Sequence, residues 1–278
     1  MMSIKMDKMN KPKKKEWSDL GNFKDDEWIA EPKFDGERCT MHAEELGGGK
    51  TDTRVMKEYK NKTAMYPELH NIELPGNSVI DGEVCVYTSD LTSNFNNFQR
   101  RMNLQDTVKI SQYIKQPEYT VTFVAFDILQ YNDKAVSGLS FGERRKLLDT
   151  IPDSDRFKKV TQYKPEDLAS LVTPNNMEGM VIKNTNDSYH NNWYKMKNLI
   201  EKDFLITGYT TSDKRFISTI EIELDGNPMG SVTYFGPKFP QTEEAARKLK
   251  GSTAVVQYMR SGAAGKPRFP VLKEIRHD

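Results

Sequence analysis

The chain has 278 residues, with 41 Lys and Arg against 40 Asp and Glu and a net charge of +1. Bulk charge therefore announces no polyanion partner, although a balanced total can hide a polarised surface. Two cysteines, Cys39 and Cys85, exclude a disulfide framework, and four scattered histidines (His42, His70, His190, His277) lack zinc spacing. No apolar run approaches the ~18 residues of a membrane span, and no hydrophobic core follows the N-terminal lysines as in a secretory signal. The expectation is a soluble cytoplasmic protein (host cytoplasm if viral) with no membrane partner, built as one large domain or two smaller ones.

Lys5, Lys8, Lys11, Lys13, Lys14 and Lys15 stand against Asp7 alone, with Pro12 among them. Residues 1–27 read as a mobile basic arm and lead-in, either a solvated tail or a nucleic-acid contact. EPKFDGERCTMHAEE follows, and its alternation predicts a strand entering a tight turn, with Lys33, Asp35 and Glu37 alternating with Phe34, Gly36 and Arg38. Gly36 lets the backbone bend or approach a ligand. GGG at Gly47–Gly49 is a turn and TDTRVMKEY a second strand. GGGKT imitates the end of a phosphate-binding loop, but the first glycine of that motif would fall at Glu44, and a strand follows where a helix is required.

SVIDGEVCVY is a strong strand, NFNNFQRRMN a helix with Phe95, Phe98 and Met102 on one side, and EYTVTFVAFDILQY a buried strand. SFGERRKLLDTI opens with a Ser140/Glu143 capping box, and KPEDLASLV has Pro165 in its first turn, so both are helices. MEGMVIKN and WYKMK are short strands. From Asp203 the texture changes to short strands with Gly and Asn turns, interrupted by one helix, TEEAARKLK. Five strands and one helix have the count of an OB-fold barrel. The predicted class is α+β: antiparallel sheets with flanking helices over residues 28–200, then an OB-fold β-barrel over 203–278.

The letters K-x-D-G-x-R at Lys33–Arg38 arise by chance in roughly one chain of this size in several hundred. They resemble the nucleotidyl-lysine motif of the superfamily of ATP-dependent DNA ligases, RNA ligases and mRNA capping enzymes. Four further elements follow in that superfamily's order: IDGEV (Ile80–Val84), VAFDIL (Val124–Leu129), EGMVIKN (Glu178–Asn184) and WYKMK (Trp193–Lys197). Each taken singly also reads as an ordinary strand. Together, from about Trp28 to the C-terminus, they are most similar to a small ATP-dependent DNA ligase of the bacteriophage type. A capping guanylyltransferase or an RNA ligase is the alternative, and a non-catalytic OB-type nucleic-acid-binding protein a minor one.

The resemblance implies three displacements at phosphorus: lysine on ATP, a DNA 5′-phosphate on lysyl-AMP, and a DNA 3′-hydroxyl on the adenylylated end. Lys33 is then the nucleophile. At a reference pKa of ~10.4 only about one free lysine in a few thousand is neutral at pH 7, so Lys33 is expected to be pushed down by burial or by Lys195, Lys197 and Arg38. The resemblance further implies that Asp35 orients by accepting a hydrogen bond, Glu31 reads the adenine edge, Arg38 meets the ribose or the nick, and Phe126 stacks on the purine. Glu83 and Glu178 serve the ribose and Mg²⁺, and Lys183 touches phosphate. Arg54 takes the place of the nick-phosphate arginine, and Arg100 and Arg101 are DNA-contact candidates. Arg276 serves the pyrophosphate, although the chain ends before the lysine that closes the last motif in many members, and SYHNN (Ser188–Asn192) lacks the arginine common before WYKMK. The implied partners are ATP, Mg²⁺ and nicked double-stranded DNA, bound by a monomer.

Overall fold

Runs rich in β-branched and aromatic residues take the strands, because side chains at a period of two cover both faces of a sheet. The computed structural model describes residues 9–47, 50–236, 238–261 and 265–277. In chain order the strands begin with β1 (Lys13–Lys14), β2 (Trp28–Pro32), β3 (Glu37–Gly47), β4 (Lys50–Lys57), β5 (Lys60–Asn61) and β6 (Ser78–Cys85). A hairpin, β7 (Tyr87–Ser89) and β8 (Thr92–Ser93), precedes helices α1 (Phe95–Met102) and α2 (Thr107–Tyr113). Then come β9 (Thr122–Tyr131), β10 (Lys134–Ala135), α3 (Phe141–Asp149), β11 (Phe157–Lys159), α4 (Pro165–Val172), β12 (Gly179–Asn184) and β13 (Trp193–Lys197). The capping box at Ser140 and Glu143 starts α3, and Pro165 opens α4.

The chain divides into two units, Met1–Lys197 and Asn198–Asp278. The first holds a seven-stranded sheet in the order β10-β9-β6-β3-β4-β5, with β11 also on β9, and a four-stranded sheet in the order β1-β13-β12-β2. Met41, Val55, Ile80 and Phe123 of the large sheet pack with Tyr66, Leu69 and Phe98. Ala30, Met180, Ile182 and Met196 of the small sheet pack with Phe23 and with Leu168 and Val172 of α4.

Two expectations change here. The strand through EPKFDGER is broken: β2 stops at Pro32 and β3 starts at Glu37, because Lys33–Gly36 carry the chain from the small sheet to the large one. The basic arm is also shorter than composition implied. Lys5 and Lys8 lie outside the described residues, but β1 pairs in parallel with β13, and Trp17–Asn22 form a 3₁₀ helix whose Trp17 and Leu20 pack beside Phe23. Three apolar anchors within a charged stretch are invisible to a composition average.

The second unit is one antiparallel sheet of β14 (Leu199–Ser212), β15 (Arg215–Leu224), β16 (Asn227–Thr233), β17 (Thr253–Ser261) and β18 (Pro267–Arg276), ordered β16-β15-β14-β17-β18, with α5 (Glu243–Leu249) between β16 and β17. Phe204, Ile217, Ile220, Val232, Leu249, Val256 and Leu272 form its core. Among the described residues its ladder of hydrogen bonds does not close, so the protein is a mixed α/β structure, mostly sheet. The GGGKT stretch joins β3 to β4, which pair antiparallel; Gly48 and Gly49 lie outside the described residues. Among the described residues no helix is long and apolar enough to cross a membrane.

Candidate active site

The crossing segment places the nucleophile candidate. Phe34 is buried with Cys85, Val124 and Val160, which anchors the middle of the Lys33–Asp35 tripeptide. Lys33 N–H donates to Gly179 C=O at 3.0 Å. Asp35 N–H donates to Ser93 Oγ at 2.9 Å, and that hydroxyl donates back to Asp35 C=O at 3.2 Å. A Cβ on Gly36 would stand 2.2 Å from Val84 O, so this glycine serves a close approach to β6 and not to a ligand. Gly179, at φ +147°, likewise lets β12 approach Met196.

Lys33 Nζ lies 2.7 Å from Glu178 Oε2, and Lys197 Nζ lies 3.6 Å from Oε1 of the same carboxylate. Glu83 completes the negative side of the site. Desolvation, with help from Glu178 and Asp35, pushes its carboxyl up to about 8 against the pull of Lys33 and Arg38. Desolvation, Lys197 and Lys33 lower the Lys195 ammonium, which places the three lysines within electrostatic reach of one another. The expected depression of Lys33 is overturned. Burial pulls it down, but Glu178, Glu83 and Asp35 outweigh burial and its net shift is upward.

Glu83 and Glu178 fit a divalent cation. Mg²⁺ takes one or two carboxylates together with phosphate oxygens and water, and a cation beside Glu83 would offset the desolvation that disfavours its charged form. Among the described residues no group of three or more His, Cys, Asp or Glu is arranged to hold a metal by itself.

Beside this cluster Phe126 stands half-buried, edge-on to Trp193 with ring centroids 6.0 Å apart. Arg38 lies 5.3 Å from the Phe126 centroid and 5.5 Å from that of Trp193. Its guanidinium is held by Asp81 through Nε at 3.1 Å and Nη2 at 2.6 Å. Tyr189 OH donates to the same Asp81 at 2.5 Å. Sequence reasoning does not single out Asp81 or Tyr189, although the first lies inside IDGEV and the second inside SYHNN.

Lys183 is not an accessible phosphate contact. It is 1% exposed, ion-paired with Glu31 at 2.7 Å, bonded to Phe126 C=O at 2.9 Å, and lowered by burial. Glu31 is equally sealed, its other oxygen taking Gln162 at 3.1 Å, so its carboxylate supports the pocket and reads no base edge from the surface. Arg101, a DNA-contact candidate, is 0% exposed and bound to Glu68 and Met65 C=O; the helix turns Arg100 outward, where it donates to Tyr119 OH at 3.1 Å, and Arg101 inward. Arg54 is accessible but flanked by Glu44 and Asp52. Arg276, in the second unit, ion-pairs with Asp203, while Asp278 lies outside the described residues.

Residues 9–198 match the ATP dependent DNA ligase domain. The chain belongs to this family of enzymes. It is similar to the SPbeta prophage-derived DNA ligase-like protein LigB of Bacillus subtilis, 26% identical over 76% of this chain and 75% of that one. It also resembles DNA ligase C of Mycobacterium tuberculosis, 26% identical over 64% of this chain and 52% of the relative. A DNA ligase of Cenarchaeum symbiosum is 33% identical over 47% of this chain but only 22% of its own length. The chain thus spans three quarters of the LigB relative, about half of DNA ligase C and under a quarter of the Cenarchaeum symbiosum ligase. Two solved structures share the fold. A Lig E DNA ligase has TM-score 0.66 at 18% identity, covering 98% of this chain and all of that one. The ligase domain of M. tuberculosis LigD has TM-score 0.55 at 20% identity, covering 97% and 95%.

Proposed function

We propose that this ligase seals 5′-phosphate/3′-hydroxyl nicks in duplex DNA, as a cytoplasmic monomer, through an AMP carried on Lys33. The observation that carries the reading is the convergence of Lys33, Lys195 and Lys197 on the Glu178–Glu83 edge, beside a half-exposed Phe126 that can stack on a purine. Lys33 Nζ attacks the α-phosphorus of ATP, the Lys–P bond forms, and pyrophosphate leaves with the electron pair of the broken P–O bond. Lys195 and Lys197 hold the α-phosphate and meet the charge that develops on it. Mg²⁺ held by Glu83 and Glu178 would supply charge neutralisation on the phosphates. In the resting site the neighbouring carboxylates, Glu178 foremost, outweigh burial and favour the ammonium form of Lys33. Once their charge is engaged elsewhere, burial and the ammonium of Lys195 favour the neutral amine. Asp35 helps orient the nucleophile.

DNA then binds through backbone phosphates, as a sealer without sequence preference requires, with Arg54 and Arg100 as contacts. Residues 28–200 act as the adenylation domain and 203–278 as an OB-fold in which Arg276, with Arg268, serves the pyrophosphate. The strand order β16-β15-β14-β17-β18, with a helix between its third and fourth strands in sequence, supports the OB reading.

Incubation with α-labelled ATP and, separately, GTP, followed by nicked DNA and RNA duplexes, tests the proposal. Acid-labile labelling from ATP and sealing of nicked DNA are expected. Labelling from GTP would move the protein to the capping enzymes, and sealing confined to RNA to the RNA ligases.

A further inference from the structure

The N-terminal segment runs along the outer edge of the lysine-bearing strand β13 from end to end. Asn10 Nδ2 donates to Tyr189 C=O at 2.7 Å, Lys13 and Lys14 pair with Tyr194 and Lys195, and Lys15 N–H donates to Lys195 C=O at 3.0 Å. Trp17 Nε1 closes the run on Lys197 C=O at 2.9 Å. At its start the segment also reaches Arg38, whose Nη1 donates to Asn10 C=O. Tyr189 OH accepts from Arg38 Nη2 at 3.1 Å and from Asn10 N–H at 3.3 Å, while donating to Asp81. One donor and two acceptors exhaust that hydroxyl.

We infer that Asn10 and Tyr189 are positioning residues for Arg38, and that the strap Asn10–Trp17 is a working part of the nucleotide site. The inference rests on the adenylation reading above and deepens it. A guanidinium has five N–H donors, and four are used by Asp81, Tyr189 and Asn10. Arg38 therefore cannot grip a phosphate with a two-pronged fork. It offers a single N–H, held by the flanking Phe126 and Trp193 rings, and a lone donor beside the purine-stacking ring matches one ribose hydroxyl of the nucleotide. The choice between ribose and nick falls to the ribose because Asn10 and Tyr189 have taken the donors that a nick phosphate would need.

The test compares ATP, 2′-deoxyATP and 3′-deoxyATP as AMP donors to Lys33 in the full chain, wild type, Tyr189→Phe and Asn10→Ala. The wild type should discriminate against one deoxy analogue. Tyr189→Phe should lose about five- to tenfold of that discrimination, the scale of one hydrogen bond, and Asn10→Ala, which cuts the Nδ2 tie of the strap to Tyr189 C=O, a smaller part of it. Tyr189→Phe keeps the ring and its packing but removes the hydroxyl that holds Arg38, whereas Asn10→Ala keeps the carbonyl on Arg38 and loosens only the strap, so the first reports on Arg38 directly and the second on the strap that carries its partner. Equal slowing with all three nucleotides would reduce Asn10 and Tyr189 to scaffolding and overturn the inference. So would a wild type that labels Lys33 without regard to the ribose. Labelling that survives in Lys33→Ala would instead remove the adenylation reading itself.

Discussion

The lysine–glutamate pairs Lys33–Glu178 and Lys183–Glu31 of the first unit have the same length, 2.7 Å, and behave in opposite ways. In Lys33–Glu178 the side chains are 24% and 5% exposed, and the lysine is shifted upward. In Lys183–Glu31 they are 1% and 2% exposed, and the lysine is shifted downward. Burial acts against both ammoniums. Three carboxylates act on each lysine, Glu178, Glu83 and Asp35 on Lys33 and Glu31, Asp127 and Asp81 on Lys183; together they outweigh burial at the partly exposed Lys33, whereas full enclosure among Phe126, Phe141 and Trp193 leaves desolvation dominant at Lys183. An ion-pair distance therefore says little about role. The pair that reaches solvent is available for chemistry, and the sealed one is a strut beneath the aromatic rings.

The sharpest separation comes from Lys33→Ala. Labelling by α-labelled ATP should vanish while the chain still folds, since Lys197 remains 3.6 Å from Glu178 to partner its carboxylate. Glu31→Ala should do the reverse in kind, destabilising by about 3–5 kcal/mol in urea unfolding because it strands a buried ammonium. Replacing Lys183 and Glu31 together by methionine should recover most of that loss. A cost below about 1 kcal/mol for Glu31→Ala would mean that the two pairs are alike, and the comparison would collapse.

Glu178→Gln should slow lysine adenylylation by about a hundredfold, the scale of one lost electrostatic contact in a transition state. Mg²⁺ titrations of the single-turnover rate would check it, and an unchanged metal requirement would remove Glu178 from the cation site.

A separate effect concerns His42, where burial and then Arg54 lower the imidazole to about 4. Here burial and a like charge act in the same direction. The unfolded chain binds a proton below ~6.5, and the folded one only below about 4, so the unfolded state holds more protons between those values. Stability should be full above pH 6.5 and fall as pH drops toward 4. Denaturant midpoints across this window should show the slope, and His42→Gln should lack it.

Much of the site was legible in order along the chain. Lys33, Glu83, Glu178, Lys195 and Lys197 sit in short strings whose letters persist whatever surrounds them, and the structure draws them together. The helix starts at Ser140 and Pro165 were equally plain, because caps are local chemistry. Arg101 was not legible: helical spacing places it one position from Arg100, and only the packing of α1 over Glu68 decides which arginine is buried. The strap was hidden for a related reason, since Trp17, Leu20 and Phe23 are diluted by lysines until the sheet edge that receives them is known.

By itself the sequence determined which groups could do chemistry, because amine, carboxylate and guanidinium are properties of residues, and where the strands could lie, because alternation is a property of neighbours. Tertiary structure alone decided that Lys33 starts protonated, that Lys183 is sealed and that Arg38 has one donor left to offer. Each of these depends on how much water remains and which partners arrive from distant segments: Glu178 from 145 residues along the chain, and Tyr189 from 151. Desolvation and Coulomb energy are set by positions in space, which the order of residues specifies only through the completed fold.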